Sequence, residues 1–343
     1  TNKRREDSPL MTDSSDLLLV ITISLSLAFA YSNGINDAAN AIATVVSTRA
    51  LRASHAVVLG ASMNFLGALT GTAVAATIGS KVVRPEFATE TTALGAIGAA
   101  VLWVLTATRY GIPVSVSHSL FAGLVGAGIA SGGVDAIVAS SAIKIVIALA
   151  ASPILGFIGG LLLMHIIYWS FRRTSYSTVN GIFGRLQVLS AGWASYAHGK
   201  NDGQNAAGII TFALAVHAGT MAADVSVPFW AIAVSALTIG MGTALGGWKV
   251  IQTLGMRVTK LTHVHGFSAN TSAGSVIEVA SLFGLPVSTT HTVTGSIMGV
   301  GATERLSAVR WGVTRRIMAA WMISYPVCFV LGFIMVKGFD RFL

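Results

Sequence analysis

The feature that most constrains this chain is a polar motif written twice in apolar surroundings. Asn33-Gly34-Ile35-Asn36-Asp37-Ala38-Ala39-Asn40 returns as His198-Gly199-Lys200-Asn201-Asp202-Gly203-Gln204-Asn205. A carboxylate flanked by amides is costly to keep in such a setting unless something bound there offsets the cost. A second element is also doubled: Gly111-Ile112-Pro113-Val114-Ser115-Val116-Ser117-His118-Ser119 returns as Gly284-Leu285-Pro286-Val287-Ser288-Thr289-Thr290-His291-Thr292. His118 and His291 lie 173 residues apart, Asn36 and Asn201 165 apart. Two motifs recurring in one order at nearly one spacing mark an internal duplication.

The solvent of this duplication follows from composition. Charged residues make up 10% of the chain and hydrophobic ones 53%, against roughly 25% charged in an ordinary soluble domain, and the mean hydropathy is +0.73. The chain reads as an all-α integral membrane protein. Leu17 to Tyr31, Ala56 to Ile78, Ile137 to Trp169, Phe229 to Leu245 and Val313 to Val336 reach or approach the ~20 residues a helix needs to cross the hydrocarbon core. The expectation is about ten to twelve membrane segments, re-entrant or broken helices included. The first apolar run has no small-residue cleavage site before Asn33 and reads as a span, not a removable signal.

Residues 1–16 are a polar tail, 17–170 a first repeat, 171–185 a hydrophilic linker with Arg172, Arg173 and Arg185, and 186–343 a second repeat. The positive-inside rule places the linker in the cytoplasm of a multi-pass protein of the cell (inner) membrane, with membrane lipids as its surroundings. Duplicated membrane halves are often inverted, and an inverted repeat is expected here. The net charge of +9 is dispersed between apolar runs with no contiguous basic and aromatic surface, which excludes nucleic acid as a partner. Cys328 stands alone, which excludes an internal disulfide or a cysteine metal cluster; it reads as a packing residue.

Each Gly-x-Pro-Val-Ser breaks a helix, because proline removes a donor and disfavours helical geometry in the preceding residue, while the serine that follows can cap a new one. About ten to twelve apolar residues follow each break, too few to cross the membrane, so both copies read as re-entrant hairpins or discontinuous helices. Irregular backbone at that depth must be enclosed by protein or line a cavity. Free amides at the new helix start, with Ser115, Ser117, Ser119, Ser288, Thr289, Thr290 and Thr292, suit a tetrahedral oxyanion. The oxygens of Asn36, Asp37 and Asn40, and of Asn201, Asp202 and Asn205, suit hard cations and share one face of a helix. A carboxylate ~5 Å from an anion repels it by about 3 kcal/mol at an effective dielectric near 20, so cations, Na+ or protons, must accompany the anion.

These residues resemble the inorganic phosphate transporter (PiT) family of sodium- or proton-coupled carriers. The likeness rests on the two doubled motifs and on Gly246-Gly247-Trp248-Lys249-Val250-Ile251-Gln252-Thr253-Leu254-Gly255, and covers nearly the whole chain after Asp16. It implies a secondary transporter that imports inorganic phosphate with Na+ by alternating access, with no cofactor and no enzymatic activity. By position, Ser115, Ser117, His118, Ser119, Ser288, Thr289, Thr290 and His291 would surround phosphate, with Asn40, Asn205 and Gln204 completing the anion site. Asn36, Asp37, Asn40, Asn201, Asp202 and Asn205 would hold the cations. The first motif copy opens with Asn33 where the second has His198. The short linker resembles prokaryotic members.

Blander readings apply elsewhere. Asn64 and Ser62 are expected to bond between helices, His118 and His291 to position the hairpins, and Lys200, matched by Ile35, to be peripheral. Glu278, matched by Leu105, is open between a cation ligand and a cavity carboxylate. Gly123, Gly126, Gly128, Gly295, Gly299 and Gly301 are expected at close helix contacts. A proton-coupled phosphate carrier or a sulfate permease on the same scaffold, and a passive anion channel, are the rivals. The oligomeric state, including a homo-oligomer, stays open. A hydrolase lacks both an HExxH helix and a Gly-x-Ser-x-Gly elbow, and ATP-driven transport lacks a phosphate-binding loop.

Overall fold

The duplication in sequence is carried into structure as two runs of six helices in the same order. In the computed structural model, which describes residues 9–220 and 226–342, the first half holds α1 (Pro9–Ser47), α2 (Ala53–Ala68), α3 (Ala73–Ser80), α4 (Glu90–Tyr110), α5 (Val116–Gly132) and α6 (Ala139–Phe171). The second holds α7 (Tyr176–His217), α8 (Phe229–Leu245), α9 (Trp248–Gln252, continued by one π turn over Thr253–Arg257), α10 (His263–Leu282), α11 (Thr289–Ala302) and α12 (Trp311–Phe342). Apart from one isolated bridge between Val83 and Ile137, no strand pairing occurs among the described residues.

The chain is a membrane protein with an almost wholly helical fold. Within α1, α4, α6 and α12, Ser15–Asn40, Glu90–Tyr110, Ala139–Phe171 and Trp311–Phe342 are long and apolar enough to span, and counting each of the bent pairs α2/α3 and α8/α9 as one span gives up to six among the described residues. The polar tail expected over 1–16 is partly helical, since α1 starts at Pro9; residues 1–8 lie outside the described residues. Of the linker expected over 171–185, helix α7 takes everything from Tyr176 onward. Its polar side chains fit a helix end in water as readily as a loop.

Local chemistry repeats with the halves. Thr89 and Thr262 each close a capping box, at the starts of α4 and α10, worth about 1 kcal/mol apiece. The bends of 66° between α2 and α3 and 64° between α8 and α9 follow Gly71 (φ 91°) and Gly246 (φ 66°), backbone that a side chain disfavours. Pro153 and Pro326 sit inside α6 and α12.

The halves interlock. α1 packs on α8 of the other half and α7 on α2; α5 packs on α12 and α6 on α11; α1 and α7 also pack on each other. Glycines permit these contacts: a Cβ on Gly34 would strike the Ile239 carbonyl and one on Gly199 the Asn64 carbonyl, while Gly67 and Gly242 face the carbonyls of Tyr196 and Tyr31. Of the expected helix-contact glycines, Gly123, Gly126, Gly295 and Gly299 behave alike, against Ala96, Phe329, Pro153 and Phe157, whereas Gly128 and Gly301 meet side chains of the non-helical Val83, Ile137 and Thr259. At one end of the bundle Ser15, Glu90 and His217 are hydrogen-bonded together, and Thr91 bonds Asp340. α1, α4 and α7 therefore meet α12 there, and Arg172 and Arg173 lie at the far end of α7.

Candidate functional site

Both asparagine-aspartate motifs lie within unbroken helix, in the second half of α1 and near the middle of α7, so Asn36, Asp37 and Asn40 share a face, as do their counterparts. Both proline motifs form the break the sequence calls for. Gly111 (φ 69°) and Gly284 (φ 65°) end α4 and α10 in left-handed geometry, and the side chains of Ser115 and Ser288 cap α5 and α11 by accepting from the amides of His118 (3.1 Å) and His291 (3.2 Å). α5 and α11 have 17 and 14 residues, longer than the ten to twelve expected because glycine and small polar residues continue the helix. At ~1.5 Å per residue both remain shorter than the ~30 Å hydrocarbon core.

Asn36 and Asn201 tie these breaks to the motif helices. Asn36 Nδ2 donates to Thr108 Oγ1 (2.8 Å) and the Ile112 carbonyl (3.5 Å), and Asn201 Nδ2 to Ser281 Oγ (2.9 Å) and the Leu285 carbonyl (3.1 Å). Asn201 Oδ1 also accepts from the Val287 amide at 3.2 Å. Both amides therefore brace the hairpins; Asn201 bonds through both of its polar atoms, whereas Asn36 Oδ1 has no partner. Thr108 and Ser281, missed in the sequence, stand three residues before the doubled glycines, a repeat that aligning the halves further would have exposed.

The centre is built across the halves. Asp37 accepts from Thr289 Oγ1 (3.1 Å) and Thr290 Oγ1 (3.0 Å), while Asp202 faces Ser117 Oγ (3.3 Å) and the same Thr289 hydroxyl (3.0 Å). Asn40 Nδ2 reaches Thr290 Oγ1 (3.1 Å) and Thr289 Oγ1 (3.3 Å); Asn205 Nδ2 reaches Ser117 Oγ (3.4 Å). Each carboxylate thus meets the helix start of the other half. All of these residues are buried. Two carboxylates at ~5 Å repel by about 3 kcal/mol at an effective dielectric near 20, so positive charge is needed between them.

His198 supplies a point where it can sit. Its Nε2 lies 3.4 Å from Asp37 Oδ2 and 3.4 Å from Asp202 Oδ2, and the three residues each offer a ligand atom within 4.8 Å of the others. The ring is oriented by a relay. Thr243 Oγ1 donates to the Ile239 carbonyl (2.9 Å) and accepts from Asn64 Nδ2 (2.8 Å), which turns Asn64 Oδ1 to His198 Nδ1 at 2.8 Å. Nδ1 therefore carries hydrogen, and Nε2 faces two carboxylate oxygens, an arrangement that calls for a proton or a metal cation at that point. The buried oxygens Oδ1 of Asn36, Asn40 and Asn205 have no partner and remain available to a cation. In the first half the relay is absent: Asn33 stands where His198 does, Ile239 where Asn64 does, and both polar atoms of buried Asn33 are unpartnered. The bonded role of Asn64 agrees with its sequence reading; His198 as a centre was missed, since its first-half counterpart is an amide.

Other expected residues lie elsewhere. Ser119 Oγ donates to the Ser115 carbonyl at 2.9 Å, and Ser115 and Ser288 are committed as caps. Gln204 caps α3, its Oε1 accepting from the Val74 (3.0 Å) and Ala75 (3.3 Å) amides and its Nε2 donating to the Thr70 carbonyl (3.2 Å). His118 and His291 pair with one another instead, their ring planes inclined by 48°. Lys200 and Glu278 form an ion pair with each other; Glu278 also lines a side cavity with Trp193 and Tyr196, and its second carboxylate oxygen has no partner, so the cavity-facing reading of this carboxylate fits.

Comparison with known proteins agrees with this architecture. Residues 33–332 match the profile of a family described as "Phosphate transporter family". The chain is 42% identical over 322 residues to a protein of Bacillus subtilis (strain 168) described as "Probable low-affinity inorganic phosphate transporter", covering 92% of this chain and 96% of that one. A protein of Rhizobium meliloti (strain 1021) with the same description is 42% identical over 310 residues, covering 90% and 92%. Among solved structures, "The sodium-dependent phosphate transporter" superposes with a TM-score of 0.89 at 27% identity, covering 95% of this chain and 100% of that one.

Proposed function

The chain belongs to the phosphate transporter family, and from that premise we propose that it carries inorganic phosphate into the cell together with Na+, by exposing the Asp37–Asp202 centre alternately to the two sides. The observation that carries this reading is the pairing of two buried carboxylates and His198 Nε2 with the starts of α5 and α11. Helix starts and hydroxyls attract the anion; the carboxylates repel it until cations neutralise them. Neither ligand binds well alone, which is the physical basis of coupling. Inward movement of one negative charge against 100 mV costs about 2.3 kcal/mol, and two or more accompanying Na+ reverse that cost.

In this reading Ser117, Thr289 and Thr290 give their hydroxyls to phosphate once Na+ has taken their place at the aspartates. Asp37, Asp202, Asn40 and Asn205 hold the cations. A ladder of polar residues one helical turn apart, Asn40, Thr44 and Thr48, leads away from the centre, with Asn270 bonded to Thr44 and Gln187 to Thr48. It offers the ions a way toward the arginine-rich end. That end carries Arg49, Arg52, Arg172, Arg173, Arg315 and Arg316 at helix ends and turns, so the positive-inside rule puts it in the cytoplasm of the cell membrane. α1 runs from the Ser15 end toward it and α7 away from it, which supports an inverted repeat and gives rocking of one half against the other a structural basis.

Proteoliposomes test the reading. An inward Na+ gradient is expected to drive concentrative uptake of labelled phosphate that excess sulfate leaves intact, because dianionic sulfate has no proton to give to Asp37 or Asp202. Uptake driven by a proton gradient instead would reassign the coupling ion, suppression by sulfate would favour a sulfate permease, and gradient-independent equilibration would leave only a channel.

A further inference from the structure

The two histidines of the proline hairpins are the part of the doubled motif that the ion centre leaves unused. His118 and His291 come from opposite halves, yet their rings touch with centroids 4.3 Å apart and planes inclined by 48°, Tyr325 lying 4.4 Å from His118 and Trp321 3.6 Å from His291. They are 2% and 4% exposed, and His118 Nδ1 and His291 Nε2 have no hydrogen-bond partner. An orphaned buried polar group is destabilising, and each of these touching rings carries one, which calls for an occupant that bonds to the pair.

Both rings line a cavity of about 580 Å³ whose walls come from α5, α6, α11 and α12. That volume lies within the range of sites for drug-sized molecules. No Asp, Glu, Lys or Arg lines it, so a charged occupant would be buried without a counter-ion and is disfavoured. Its rim opens sideways on the apolar outer face of the bundle, where Ile154, Met318 and Met322 are 59%, 48% and 73% exposed. Those residues belong to α6 and α12, two of the long apolar helices, so the mouth faces acyl chains.

We propose that this cavity binds a neutral lipophilic alcohol or phenol taken up from the bilayer, its hydroxyl bonded to the imidazoles of His118 and His291 and its apolar body lying along Ile154, Trp321 and Met322. A plain hydrocarbon chain fits the walls and leaves the imidazoles unsatisfied; an ionised fatty acid meets no cation. His118 follows Ser117 and His291 follows Thr290, so an occupant presses on the backs of both helix starts that face the ion centre. It wedges the two halves and slows transport.

The test uses the full chain in phosphatidylcholine nanodiscs, irradiated with a diazirine-bearing decanol and mapped by mass spectrometry. Adducts on Trp321, Met322 or Tyr325 are expected to saturate, to be displaced by excess 1-decanol, and to fall at least fivefold in Ala150→Phe, a wall position that bonds nothing. The matching diazirine-bearing decane, without the hydroxyl, is expected to label these residues at least tenfold less. Unsaturable labelling spread along α6 and α12, equal labelling by the hydrocarbon, or full labelling of Ala150→Phe overturns the site. In proteoliposomes 1-decanol is expected to slow phosphate uptake by the wild type and not by Ala150→Phe; equal sensitivity of the two overturns the wedge.

Discussion

Thr289 has one hydroxyl proton and two carboxylates within 3.1 Å of it. Its first-half counterpart is Val116, so this hydroxyl is an asymmetry of the centre and not a product of the duplication. Thr289→Val keeps the shape and removes the bond; a bond to a charged group is worth about 1.5–3 kcal/mol, so the KM for phosphate or Na+ is expected to rise roughly tenfold or more, with the folded yield unchanged. Asp37→Asn and Asp202→Asn should each leave an elution profile like wild type and abolish Na+-driven uptake; normal uptake in both would remove the carboxylates from the coupling mechanism. The Lys200–Glu278 pair replaces the apolar Ile35 and Leu105 of the first half. Breaking a mostly buried pair strands one charge at a cost of about 3 kcal/mol, so Glu278→Leu alone is expected to lower the thermal midpoint more than Glu278→Leu with Lys200→Ile. At this scale the sequence was legible where residues repeat. The aspartates and Ser117, Thr289 and Thr290 meet as expected, whereas Gln204, Ser115 and Ser119 turned out to serve backbone amides and carbonyls. Residue type and spacing say that a side chain is polar, not which of several backbone groups claims it.

Helices in this fold approach so closely that several glycines have a carbonyl where a side chain would begin. Overpacking of a tight contact costs about 1–3 kcal/mol, and here the obstacle is backbone, which cannot rotate aside. Gly199→Ala and Gly242→Ala are each expected to lower the detergent thermal midpoint sharply or prevent folding, while Gly181→Ala and Gly312→Ala, which meet nothing within 4 Å, should match the wild type in the same assay. The breaks at Gly111 and Gly284 were legible, because proline and a capping serine leave little choice of geometry. The helical character of residues 9–16 and 176–185 was not, since a polar helix end in water and a loop look alike in composition.

As a whole molecule, the chain keeps its arginine-rich helix ends on one side and Glu90, His217 and Asp340 on the other. A membrane-impermeant maleimide applied to intact cells is expected to modify Asp135→Cys and to leave Thr174→Cys unlabelled until the membrane is opened; the reverse pattern would invert the assignment. The interlocking of helices from the two motif copies was not legible, because a repeat announces equivalence and is silent about which copy each surface touches. That interlocking has a consequence for how the protein is made. Thr289, the partner of Asp37, lies 252 residues downstream of it. At ~5–20 residues per second of synthesis, the first half waits about 13–50 s in the bilayer with its carboxylate unpaired and the grooves of α1 and α2 unfilled. A half left alone that long is exposed to quality-control proteases and to neighbours of the same kind, so pauses in translation between the repeats should be the costliest ones this chain can suffer.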